Sequence, residues 1–217
     1  MNFASYSDFR EKVRVLIEGD EIGETFSTTT LDLIIGLAEQ RIYRDLRAST
    51  MYTTATLTTV ASNALPLPTS LIALDRVTIG GDQVEVTDLW RVEQLINSGA
   101  SASDPTYCAQ KGDALIFFPA VANSTSIVLS YYARPADISD GINTTVTRYP
   151  EVFLYASVAE SAPFLGEDAR VGLWEQKYAN ALTQAKIDER WRAYSGSPLR
   201  VRTDELTACP HCGRLLR

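Results

Sequence analysis

Residues 28–60, TTTLDLIIGLAEQRIYRDLRASTMYTTATLTTV, change period near their midpoint, and that change decides the fold. Up to about Ala48, the residues Leu31, Ile34, Ile35, Ala38, Ile42 and Leu46 recur every three or four positions. They form one apolar stripe of a helix, with Glu39, Arg41, Arg44, Asp45 and Arg47 off it. From Thr50 to Val60 the chain is rich in Thr and β-branched side chains, which favour a strand. A helix therefore hands over to a β segment within a few residues.

Upstream, residues 5–18 read as another helix. Ser5 and Asp8 make a capping-box pattern, and Phe9, Val13, Leu16 and Ile17 share one face. Downstream, the β character continues for about ninety residues. Leu65-Pro66-Leu67-Pro68 is extended, because a residue before proline is pushed out of the helical region. Gly80-Gly81-Asp82 and Lys111-Gly112-Asp113 each punctuate a hairpin, and Ile127–Tyr132 reads as a further strand. Asp88–Asn97 reads as a short helix within this region. A third main helix opens near Tyr149, where Pro150 suits a first turn and Glu151 suits the dipole; it ends or kinks at Pro163. A fourth runs from about Glu167 to Ala193, with Leu173, Trp174, Tyr178, Ala181, Leu182 and Ala185 on its apolar face.

The predicted fold is α+β: an antiparallel helical bundle of two N-terminal and two C-terminal helices, with an inserted β-rich region and an extended C-terminal tail. The expected boundaries are 1–48 and 149–195 for the bundle, 49–140 for the insertion and 196–217 for the tail.

Composition narrows the function. The chain has 217 residues and a net charge of −7, which argues against a general nucleic-acid binder. The charge is uneven: residues 1–185 carry a balance of −10 and residues 186–217 one of +3, so the tail is expected to dock elsewhere. No apolar run approaches the ~20 residues of a membrane span, and the start lacks the pattern of a signal peptide. Three cysteines are too few for a disulfide framework.

Motifs for chemistry are sparse. The single histidine lies in Cys209-Pro210-His211-Cys212-Gly213, half of a zinc knuckle, so Cys209, His211 and Cys212 are the candidate metal ligands. A structural zinc site needs four ligands, and the remaining cysteine, Cys108, sits far away in the β region. The expected cofactor is therefore none, with a small zinc-binding interaction module as the alternative reading. Any nucleophilic triad would have to use His211, near the end of the sequence, where no rigid base is expected. The carboxylate pairs Glu167-Asp168 and Asp188-Glu189 are explained by helix electrostatics. The reading is a protein without enzymatic activity. Trp191, Arg192 and Tyr194 at the end of the last helix have the character of interface anchors. Pro198-Leu199-Arg200-Val201-Arg202 alternates apolar and basic residues, as in a strand that pairs on one side.

Four stretches together resemble the portal-bound head-to-tail adaptor, or head-completion, proteins of short-tailed and related tailed phages. They are Leu37–Arg47; Leu65–Pro68 with Leu74–Gly81; Leu129–Pro135; and Arg148–Glu151 through Glu160–Leu165 and Leu173–Glu175 to Ser195–Arg202. The resemblance implies a ring, of twelve copies in such proteins, under the portal in the neck of the virion, assembled in the host cytoplasm. Such a ring extends a channel through which DNA passes without specific binding. It also implies that Pro198, Leu199, Arg200, Val201 and Arg202 grip the portal, that Trp191, Arg192 and Tyr194 lie at a subunit interface, and that the β part meets the nozzle or other tail components. The ending at Cys209–Gly213 departs from that pattern.

Overall fold

The structure is a computed structural model that describes residues 3–18, 26–58, 63–99, 105–122, 124–165 and 170–194. Helices α1 (Tyr6–Glu18) and α2 (Thr28–Asp45) come first. The strands are β1 (Tyr52–Thr58), β2 (Ala64–Pro66), β3 (Leu71–Ile79), β4 (Asp82–Val86), β5 (Tyr107–Lys111), β6 (Ala114–Phe118) and β7 (Ser126–Ala133), with α3 (Leu89–Asn97) after β4. Then come α4 (Thr144–Arg148), α5 (Pro150–Glu160), α6 (Ala162–Leu165) and α7 (Val171–Tyr194).

Helix starts follow their caps. The Asp8 N–H donates to Ser5 Oγ (3.2 Å), as in a capping box, while Asp8 Oδ2 accepts from the N–H of Ala4 (2.9 Å), one residue before the Ser5 N–H that a full box engages. Ser27 caps α2 by accepting from the Thr30 N–H. Asn143 accepts from the N–H groups of Thr145 and Val146 and so starts α4.

The seven strands form one mixed sheet in the order β1-β7-β3-β4-β5-β6-β2. Both predicted hairpins are present, β3–β4 and β5–β6. Gly80 and Gly81 adopt φ of 62° and 101° at the first turn, a region that side chains with a Cβ avoid. The remaining pairings are non-local: β7 lies between β1 and β3, and β4 and β5 run parallel.

The expected antiparallel bundle of two N-terminal and two C-terminal helices with an inserted β region does not form. The chain is α+β around the seven-stranded mixed sheet; it carries α3 where Asp88–Asn97 read as a short helix, and the further helices α4 and α6. Helix α5 is the reason: Val152, Phe153, Leu154, Ala156, Ser157, Val158 and Ala159 are all buried, so it is apolar around most of its circumference. A helix of that kind is surrounded rather than ranked in a bundle, and α1, α2 and α7 each pack against it. The sheet adjoins this core through Ile72 and Tyr132. A second core, including Leu65, Val77, Phe117, Ile127 and Leu129, lies within the sheet, and Val92 of α3 packs with Ala109 and Phe118 in a third.

Two smaller readings are also corrected. Glu39, placed off the apolar stripe of α2, is 3% exposed. Leu173, placed on the inner face of α7, is exposed.

Candidate functional site

Helix α7 carries the candidate interface residues Trp191, Arg192 and Tyr194. Its inner face, Trp174, Tyr178, Ala181, Leu182 and Ala185, packs on the helical core. Polar contacts fix its rotation. Arg41 of α2 donates to Glu160 at the end of α5 (2.9 Å) and to both oxygens of Glu175 on α7 (2.9 and 2.7 Å). Its guanidinium also stacks over the Tyr178 ring at 4.4 Å, and the Tyr178 hydroxyl donates to Asp45 (3.0 Å). The Arg41 partnership pulls the Glu175 carboxyl below the usual carboxylate range.

About one and a half turns before the end of the helix, Glu189 fastens α7 to the start of the sheet. It accepts from the Ser49 N–H (2.9 Å) and the Tyr149 hydroxyl (2.6 Å), with Arg148 3.7 Å away. Burial opposes its charge, but these hydrogen bonds outweigh it and hold the carboxyl below its ordinary range. Of the predicted pair Asp188-Glu189, Glu189 is therefore a fastener, and Glu167-Asp168 lies outside the described residues. Glu39 holds the connector after β7: the Ile138 N–H donates to its carboxylate at 3.2 Å, and burial raises its pKa.

The outer side of α7 is different. Trp191 is 73% exposed, and Ile187, one turn earlier on the same side, is exposed too. Arg192 is exposed beside them; Tyr194 closes the helix. The structure thus brings Trp191 and Arg192 together on solvent-facing helix surface. Pro198, Leu199, Arg200, Val201 and Arg202, and the metal candidates Cys209, His211 and Cys212, lie outside the described residues. Sequence reasoning missed Trp90 on α3, which is 72% exposed, and the pair Leu33 and Leu37 on the outside of α2. Their signal was present, since they fall off the apolar stripes of their own helices.

Chemistry finds little support among the described residues. No group of three or more His, Cys, Asp or Glu is placed to hold a metal ion. Burial pushes the Cys108 thiol up to about 12, which makes it a core side chain and a poor nucleophile. A groove of about 500 Å³ between α5 and α7 is lined by Tyr149, Val152, Tyr155, Lys177 and Ala181, with charges of both signs and no histidine or cysteine among its described lining. No helix of the described residues is long and apolar enough to cross a membrane.

Charged networks fasten the helices of this α+β scaffold together, and the aromatics Trp90 and Trp191 face solvent. The family model of the SU10 adaptor protein matches residues 4–202, and the chain belongs to that family. It is a phage structural adaptor, associated with the virion, that interacts with other head or tail components. The match runs through Pro198–Arg202 and stops before Cys209. No curated protein matches the sequence.

Proposed function

We propose that the chain is a head-to-tail adaptor that assembles as a ring, of about twelve copies as the resemblance implies, beneath the portal in the neck of the virion. The family match over residues 4–202 carries this reading. In it, residues 1–48 and 149–195 supply the helical body of the ring, and residues 49–140 face the nozzle or other tail components. Residues 196–217 reach the portal, with Pro198, Leu199, Arg200, Val201 and Arg202 as the contact. Trp191, Arg192 and Tyr194 belong to the interface between subunits; the exposure of Trp191 on a rigid helix supports this, because aromatic and arginine side chains anchor protein interfaces. The surplus of carboxylates suits a channel that DNA must traverse without being held. The role requires no cofactor and no catalytic step.

Native mass measurement of full-length protein with its portal tests the reading, alongside a truncation after Gly196. The expected result is that the full-length chain loads onto the portal as a ring and the truncated chain does not. Failure of both to associate with the portal would remove the adaptor-ring assignment.

A further inference from the structure

The last turns of α7 and the C-terminal end of α2 enclose an open cleft of about 510 Å³, lined by Arg44, Asp45, Leu46, Arg47, Lys186, Glu189, Arg190 and Ala193. Four cationic side chains thus face two carboxylates in a chain whose net charge is −7. Both carboxylates are already engaged: Asp45 accepts from Tyr178, and Glu189 accepts from Ser49 and Tyr149. Among the described residues, Arg47, Lys186 and Arg190 have no carboxylate within 4.0 Å, and Arg44 reaches only its neighbour Asp45, at 4.0 Å. Basic residues in a last helical turn offset the helix dipole, which accounts for Arg44. That reason does not extend to Lys186, two turns before the end of α7. Lys186 and Arg190 are exposed at the cleft.

We propose that this cleft seats an acidic segment of a protein partner in the particle, its carboxylates meeting Arg44, Arg47, Lys186 and Arg190 and its apolar residues meeting Ala193 and the aliphatic stems of the basic side chains. The proposal rests on the adaptor reading for the kind of partner and on local charge for the site. A protein segment fits better than nucleic acid. The cleft mixes cations with Asp45, Glu189 and apolar floor, and exposed Trp191 and Ile187 stand on the same helix. A polyanion also feels the whole chain, which repels it, whereas a short acidic segment feels mainly the charges within a Debye length of ~8–10 Å.

The test uses the full-length chain and a short fluorescent peptide of repeated Glu-Glu-Leu, read by anisotropy at low and high salt. A short DNA duplex and a Lys-Lys-Leu peptide run alongside. The unmodified chain should bind the acidic peptide and lose it in salt. Arg47→Glu with Arg190→Glu should weaken binding by about tenfold or more, since each exposed pair contributes severalfold, and should gain the basic peptide. Arg76→Glu, at an exposed arginine of β3, should leave binding unchanged. Arg47→Gln with Lys186→Gln neutralises the cleft without reversal and should weaken binding in the same direction if the reversed variant misfolds. Binding of the acidic peptide unaffected by the cleft variants, or no binding by the unmodified chain, overturns the proposal. Cleft-dependent binding of the duplex without the peptide overturns it in favour of a nucleic-acid site. None of these outcomes depends on ring formation, so the proposal and the adaptor-ring reading fail separately.

Discussion

Replacing Arg41 with alanine removes a side chain that ties α2 to both α5 and α7. Three hydrogen bonds of 2.7–2.9 Å to Glu160 and Glu175 go, together with the stack on Tyr178. The two carboxylates are left near each other without their shared cation. Exposed ion pairs contribute ~0.2–1 kcal/mol, and removing one partner of a buried pair costs ~3–5 kcal/mol. Arg41 and Glu160 are about a quarter exposed and Glu175 rather more, so the cost should fall between those limits, at about 2 kcal/mol. For a chain of this size that lowers Tm by about 4–8 °C. Arg41→Lys keeps the charge but loses the bidentate geometry and should cost about half as much. The effect depends on pH in a defined direction. Because the folded-state pKa of Glu175 is lowered, its stabilisation is full above the unfolded value, near ~4.3, and is lost as pH falls through the folded value. The Tm gap between the unmodified chain and Arg41→Ala, followed by circular dichroism, should therefore be widest at neutral pH and shrink in acid. A gap below about 2 °C at neutral pH, or one that widens in acid, refutes the argument.

Glu39 should behave in the opposite sense. Burial raises its folded pKa, so the stability tied to its protonated form is present at low pH and lost as pH rises through that pKa. Glu39→Gln should thus gain Tm relative to the unmodified chain at pH 7.5 more than at pH 4.5, and equal gains at both would contradict it. Phe153→Ala empties a fully buried site on α5 and should cost ~3–5 kcal/mol in denaturant unfolding. Trp191→Ala should change the unfolding free energy of the isolated chain by less than about 0.5 kcal/mol, because the side chain is exposed; under the proposed function it still impairs ring formation measured by native mass. Cys108 should resist maleimide labelling at neutral pH until denaturant is added, as peptide mapping of that residue would report.

The elements were legible where their signals are local. The stripe of α2, the Ser5–Asp8 box and the glycine turns at 80–81 and 112 needed only neighbouring residues to read. Pairings that join distant parts of the chain left no such trace. Nothing in Tyr52–Thr58 announces β7 as its neighbour, and the parallel contact of β4 with β5 depends on how α3 crosses between them. The bundle expectation failed on α5, because periodicity assigns a helix one buried face and α5 has nearly all of its surface buried. Glu39 was misplaced for a related reason: a carboxylate reads as surface until its partner, the Ile138 N–H 99 residues away, is known. At the candidate site, Trp191 stood out by residue type and position, whereas the cleft beside it needs α2 and α7 side by side to exist.

The helical core draws its members from both sides of the sheet: α1 and α2 precede it, while α5 and α7 follow it. On the ribosome, this order of synthesis has a cost. Helix α2 ends at Asp45 and α5 begins at Pro150, so about a hundred residues are made between them. At ~5–20 residues per second, the stripe Leu31, Ile34, Ile35, Ala38 and Ile42 waits roughly 5–20 seconds for the helix that covers it. The β3–β4 and β5–β6 hairpins can close during that interval, since their partners are adjacent in sequence. The nascent chain thus carries a partly formed sheet and an uncovered helix pair until α5 emerges, and that is the window in which aggregation competes with folding.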